Sequence, residues 1–358
     1  MSKLFEEFRI NNLILKNRFV ISAAADNLDN KSDLRIKRFY RLAKGNIGLI
    51  ISGALTIGEI GNWGKVVKTV HDEGGKIALQ IMVRGGPGIT PWSKSDDDKI
   101  AVSVLPKNSI YFHSFIKYGK HHAATDEELN KIIDMYVKTT EKAKSIDADA
   151  VQIHSAHQNF LCHFLSPITN KRTDKWGGSI ENRCRIHREI IKAIRRKIGG
   201  DFPILIKLGV EDGFEKGLKF DEGKYAAEII ANSGYDALEI SQGLQKLDDW
   251  NRTPMRIVNK IEEEGYFRDW CKEIRKSISK PTIMTGGLRS YEFVEKVVSE
   301  GETDLVGMCR PFIREPDLIN RWQKGDTNKA KCISCNKCLI ELLIKGLPLD
   351  CYLEKRLG

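Results

Sequence analysis

Two groups of side chains have the types and spacing to do chemistry. The first is His154 and His157, in the segment His154-Ser155-Ala156-His157, which leaves the end of a β-rich apolar run. Two imidazoles at the end of a strand can donate hydrogen bonds to a carbonyl or phenolate oxygen and polarise it. The same pair could bind a metal, or be two satisfied loop histidines. The second group is Cys332, Cys335, Cys338 and Cys351, spaced C-x₂-C-x₂-C-x₁₂-C near the end of the 358-residue chain. Two-residue gaps let a loop wrap one metal centre, and a remote fourth thiolate completes four-fold coordination. A [4Fe–4S] cluster, structural zinc and metal-free thiols all fit that spacing. Cys162, Cys184, Cys271 and Cys309 have no ligand-like spacing and read as ordinary buried thiols. Cys162 stands out among them only for its nearness to the histidine pair.

These groups need a frame. Short continuous apolar runs lie at 19–23, 48–52, 76–82, 150–154, 204–208, 237–241, 282–285 and 305–308, with helix-length amphipathic segments between them. Runs of that kind suit parallel strands buried on both faces. Thr125, with Glu128 three residues on, forms a capping box that opens a helix running to about Ser145. Eight strand–helix units predict an α/β fold, a closed (β/α)₈ TIM barrel. A doubly wound sheet would want a glycine fingerprint after its first strand, and Ser22-Ala23-Ala24-Ala25 is not one. Residues 83–124, rich in Gly, Pro and Ser, predict an elaborated loop at the barrel mouth. The expected division is a barrel over 1–325 and a Cys-rich extension over 326–358. The net charge of +10 comes from basic residues spread among 48 acidic ones, with no basic arm or stripe. That pattern speaks against nucleic acid. No apolar run has the length of a bilayer span or a secretory leader, so the expected location is cytoplasmic, where structural disulfides are disfavoured.

The stretch from Val151 to Arg183 carries a more specific signal: Phe164-Leu165-Ser166-Pro167, Asn170, Arg172-Thr173-Asp174, Gly177-Gly178-Ser179 and Glu181-Asn182-Arg183. Together with Leu15-Lys16-Asn17-Arg18, Gly45, Gly48-Leu49-Ile50, Gly74-Gly75-Lys76, Gln80, Thr285-Gly286-Gly287 and Arg310-Pro311, it resembles the old yellow enzyme, or NADH:flavin oxidoreductase, family, in order and up to Gly325. The resemblance implies FMN at the barrel mouth. Gly286, Gly287 and Arg310 would hold its phosphate, with a following helix N-terminus favouring the anion. Gln80 would pair with the pyrimidine edge. Lys207, where the family usually has Arg, would place positive charge near flavin N1. Ser22, Ala23, Ala24, Ala25, Ala54 and Cys309 would line the cofactor. Family members take hydride from NADH or NADPH and pass it from flavin to the β-carbon of an activated alkene. Two histidines, here His154 and His157, grip the substrate carbonyl, and a tyrosine supplies the proton. The cysteine spacing resembles that of trimethylamine dehydrogenase and 2,4-dienoyl-CoA reductases, in which a cluster relays electrons from FMN.

The sequence departs from the family where the acid should be. The tyrosine position, two residues past the second histidine, is Asn159, and an amide cannot act as a general acid. Tyr111 and Tyr266, both in predicted mouth loops, could substitute or be structural. Ala23-Ala24, Ala25 and Val83 also replace residues usual in the family. The expected partners are a small-molecule substrate and a pyridine nucleotide. A redox protein that takes electrons from the cysteine tail, and a homo-oligomer, both remain open.

Overall fold

The structure, a computed structural model, describes residues 2–28, 31–89, 99–113, 116–246 and 248–353. Within them, eight parallel strands close on themselves: β1 (Phe19–Ile21), β2 (Leu49–Ile51), β3 (Ile77–Met82), β4 (Ala150–Ser155), β5 (Ile204–Gly209), β6 (Ala237–Ser241), β7 (Thr282–Met284) and β8 (Leu305–Met308). Val306 of β8 pairs with Phe19 of β1, and Leu79 of β3 pairs with Val151 of β4, so no strand is left with a bare edge. All eight predicted runs are strands, several trimmed by one or two residues at an end. The architecture is the (β/α)₈ barrel expected.

Apolar side chains dominate both faces of these strands. The antiparallel hairpin of Phe8–Ile10 and Leu13–Leu15 plugs the lower end of the barrel. Its Ile10, Leu13 and Leu15 form one buried cluster with Val20, Leu49, Ala78, Ala150, Leu205, Ala237, Ile283 and Leu305. Burial of each such large side chain contributes about 1.5–3 kcal/mol. The capping box at Thr125 starts the helix Asp126–Ser145, whose buried Leu129, Ile132, Tyr136, Thr140 and Ala143 recur at helical spacing against the barrel.

The mouth loop is more ordered than a loop. Lys99–Ala101 runs parallel to His121–Ala123, and Gly88–Ile89 pairs with Lys117–Tyr118. Of that predicted loop, 90–98 and 114–115 lie outside the described residues. The tail forms a helix, Lys337–Lys345. The chain just after it is strapped to the loop and helix that follow β1: Asn27 donates to the Gly346 carbonyl, Leu349 N–H donates to Asp26 O at 3.0 Å, and Arg38, on the helix Ser32–Lys44, donates to Leu349 O at 2.9 Å. Among the described residues, no helix is long and apolar enough to cross a membrane.

Candidate active site at the barrel mouth

The C-terminal ends of the strands open into a cavity of about 770 Å³, within the size range of small-molecule sites. Every cofactor and catalytic residue expected from the sequence lines it: Ser22, Ala23, Ala24, Ala25, Ala54, Gln80, His154, His157, Lys207, Gly286, Gly287, Cys309 and Arg310. Residues spread over nearly 290 positions of chain converge because they lie at or just past the C-terminal ends of seven strands of one ring.

The histidine pair sits on a strained turn. His154 is the penultimate residue of β4, whose six residues are all buried. His157 and Gln158 then adopt φ of +53° and +64°, left-handed backbone that non-glycine residues rarely hold. The two rings meet edge-on, with centroids 5.4 Å apart. His157 Nε2 lies 2.8 Å from Ser241 Oγ at the end of β6. Burial, helped by the Lys207 charge, holds His154 down at about 3, and the same causes with His154 added push His157 well below its usual value. Both rings are therefore neutral near pH 7 and act as hydrogen-bond partners rather than as cations.

The cavity leaves polar atoms unanswered. Ser22 Oγ, His154 Nδ1 and Gln245 Oε1 are buried at its wall without a hydrogen-bond partner among the described residues. Buried polar groups are normally paired, so these atoms fit a polar ligand. Gly286 and Gly287 hold φ of +115° and +75°, and a side chain on Gly287 would meet Val258 Cγ2 at 2.5 Å. Only glycine fits that approach of backbone to cavity. Arg310, after β8, donates from Nη1 to Arg256 O at 3.0 Å and to Asn336 Oδ1 at 2.6 Å.

One expectation needs correction, and two open points are filled in. The helix after the Gly-Gly turn, Tyr291–Ser299, does not offer its N-terminus to an anion. The Glu264 carboxylate already accepts from Arg289 N–H at 2.8 Å and Ser290 N–H at 2.9 Å there. Arg289, which lines the cavity and donates to Cys332 O at 2.9 Å, was the missed arginine on that side. Tyr111 lies outside the cavity, packed against Phe112, His163 and Phe214, and burial raises its pKa far above the ordinary value. Tyr266 does line the cavity, but its hydroxyl donates to Pro254 O at 2.7 Å and its ring lies under the Arg256 guanidinium. Lys207 is not a lone cation. Its Nζ lies 2.8 Å from Oε1 of Glu239, a fully buried carboxylate on β6. The signal for Glu239 was available: a charge in the middle of the apolar run Ala237-Leu238-Glu239-Ile240-Ser241.

Asn159 caps no helix with its side chain and instead donates to Ala156 O at 3.0 Å, at the cavity wall. Cys162 is buried away from the cavity, and burial raises its pKa well above the usual thiol value.

Cys332, Cys335, Cys338 and Cys351 line one small cavity beside the tail helix, and Cys332 and Arg310 line both this cavity and the large one. The donor set and its gathering at one place fit a four-thiolate centre. The sulfurs are not drawn into a single coordination sphere: among the described residues, no three His, Cys, Asp or Glu side chains are grouped closely enough to hold a metal ion. Cys309, expected both as a buried thiol and as a cofactor neighbour, packs with Cys338 and Cys351 in the apolar cluster under the tail.

A barrel with this mouth has the layout of flavin-binding oxidoreductases, and the comparisons agree. Residues 3–329 match the family profile described as the NADH:flavin oxidoreductase / NADH oxidase family, and the chain belongs to that family. It is 31% identical to an NADH oxidase of Thermoanaerobacter brockii over 99% of this chain and 56% of that protein. It is 26% identical to a cinnamate reductase of Clostridium sporogenes over 99% of this chain and 58% of that protein. The solved 2-naphthoyl-CoA reductase superposes with a TM-score of 0.84 at 24% identity, covering 98% of this chain and 56% of that one, a likeness of fold. The chain thus spans a little over half the length of these relatives.

Proposed function

We propose that the barrel binds FMN at its mouth and passes reducing equivalents from NADH or NADPH to a small activated alkene or carbonyl-conjugated electrophile. The observation that carries this is the convergence of all thirteen expected residues on one cavity with unanswered polar atoms. The relative named for cinnamate, an alkene conjugated to a carboxyl group, supports the substrate class. FMN, when bound, supplies the hydride acceptor and donor. The chain's residues hold and orient. Gly286 and Gly287 would present backbone N–H groups to the phosphate, with Arg310 and Arg289 as the adjacent cations. Gln80 and Lys207 would meet the ring, and Ser22, Ala23, Ala24, Ala25, Ala54 and Cys309 would enclose it. Neutral His154 and His157 would donate to the substrate carbonyl. Asn159 holds the place of the family's tyrosine, Tyr111 lies outside the cavity and the Tyr266 hydroxyl is engaged by Pro254 O, so the proton for the α-carbon would come from water.

A second reading is favoured by the tail. We take 1–325 as the flavin barrel and 326–358 as an extension whose four cysteines would hold a [4Fe–4S] cluster. Cys332, shared between the two cavities, would then offer electrons an exit to a partner protein. Structural zinc would fill the same ligands without that outlet.

Anaerobic purification with a visible spectrum and iron and zinc analysis tests both readings. The protein is expected to be yellow, with its flavin bleached by NADH or NADPH. A colourless protein that FMN cannot reconstitute overturns the first reading. Yellow protein lacking iron overturns the second.

A further inference from the structure

The two residues proposed to touch the flavin ring are joined by a buried chain. Gln80 Nε2 donates to Gln152 Oε1 at 2.6 Å, and Gln152 Nε2 donates to Glu239 Oε2 at 2.7 Å. Glu239 Oε1 lies 2.8 Å from Lys207 Nζ. The four side chains come from β3, β4, β6 and β5, and none is more than 4% exposed. Gln80 and Lys207 line the large cavity, whereas Gln152 and Glu239 lie behind them.

From this geometry we infer that Glu239 is a positioning residue that neutralises Lys207 at the proposed flavin site and sets which atom Gln80 would offer to the cofactor. The inference rests on the FMN reading above. Its first half is electrostatic. A cation alone beside flavin N1 would stabilise the anionic reduced ring, but a carboxylate at 2.8 Å cancels most of that field. The chain's flavin is thereby held as a stronger reductant than an unpaired Lys207 would make it. The second half is hydrogen-bond logic. An ionised carboxylate only accepts, so Gln152 must turn its amide nitrogen to Glu239 and its oxygen to Gln80. Gln80 must then give an N–H to Gln152, which leaves its own oxygen as the acceptor facing the cavity. One buried charge thus orients two amides in series. A buried ion pair is costly to build, and both of its outlets lead to the cavity, which is why we assign it to the site rather than to the barrel's stability.

The test uses the flavin-loaded enzyme and a dye-equilibrated redox titration. Glu239→Gln should raise the ratio of reduced to oxidised flavin at a fixed potential by at least tenfold, a shift of about +30 mV for a two-electron couple. The double variant Glu239→Gln/Lys207→Gln carries no charge at the pair and should return within threefold of the original ratio. An unchanged ratio in yellow Glu239→Gln overturns the inference. So does an equal rise in the double variant, since the effect would then bypass Lys207. If Glu239→Gln does not fold, the double variant decides alone: a tenfold fall in the ratio would show that Lys207 had been an uncompensated cation. A colourless parent protein defeats the FMN reading itself, and is told apart by its missing absorbance before any titration begins.

Discussion

Replacing Gly287 with Ala should damage both the fold and the flavin site, and the structure separates the two costs. At φ of +75°, any side chain pays about 1–2 kcal/mol for the left-handed backbone. A methyl there would also press on Val258 Cγ2 at 2.5 Å and on the Tyr266 ring edge at 2.9 Å. Crowding of that kind adds about 1–3 kcal/mol, for a total of about 2–5 kcal/mol. A chain of 358 residues melts with an entropy of about 0.75 kcal/mol/K. Gly287→Ala should therefore lower Tm by about 3–7 °C. Gly301 supplies the control. Its φ is +72°, but nothing lies within 4 Å of its missing side chain, so Gly301→Ala should cost only the backbone share, about 2 °C. The assay is calorimetry of both variants, with flavin content measured on the same samples. Flavin retention should fall at least tenfold in Gly287→Ala and stay unchanged in Gly301→Ala. Equal Tm losses with equal flavin content would refute the claim that Val258 and Tyr266 resist a side chain at that turn.

Three other expectations follow from the same site. Arg310→Ala should weaken FMN retention, because it removes the cation after β8 at the phosphate side of the cavity. Equilibrium dialysis reads this, and an unchanged Kd would move the phosphate elsewhere. Joint replacement of His154 and His157 with Ala should slow turnover of an enone far more than reduction by pyridine nucleotide, and stopped-flow of the two half-reactions distinguishes them. Equal loss in both would remove the histidines from the carbonyl. Acid should destabilise the fold between pH 6 and 5. Burial holds His154, His163 and His187 at about 3, 4 and 3. The unfolded chain takes up a proton at each near pH 6.5 that the folded chain refuses, so their stability contribution is whole above that pH and falls as pH drops. Asp212, pushed up to about 6 by burial, binds its proton more readily when folded and offsets part of the loss. The net is on the order of 3 kcal/mol across that one unit, read by urea titration at each pH. A midpoint that holds steady or rises on acidification would contradict the burial of these rings.

Much of the frame was legible because local pattern and long-range need coincide in a barrel. Each parallel strand is buried on both faces, so it advertises itself as an apolar run, and all eight did. Thr125 and Glu128 satisfy each other across three residues, so that helix start is written in its own turn. The cavity lining was legible for a related reason: its residues follow strand ends, and strand order alone places them at one mouth.

What the sequence left undecided is what two distant strands do to each other. Nothing in the apolar run around Glu239 announces that its carboxylate meets Lys207, since the register that pairs them belongs to the assembled sheet. The same holds for Glu264, which takes the helix start that seemed reserved for phosphate, and for Tyr111, which turned away from the mouth into an apolar cluster. Residue types and spacing determined the barrel, the family and the list of groups at its mouth, because those are properties of single strands and their ends. Only tertiary structure decided which charges are already spent on one another, because a buried charge is defined by its neighbour rather than by its place in the chain.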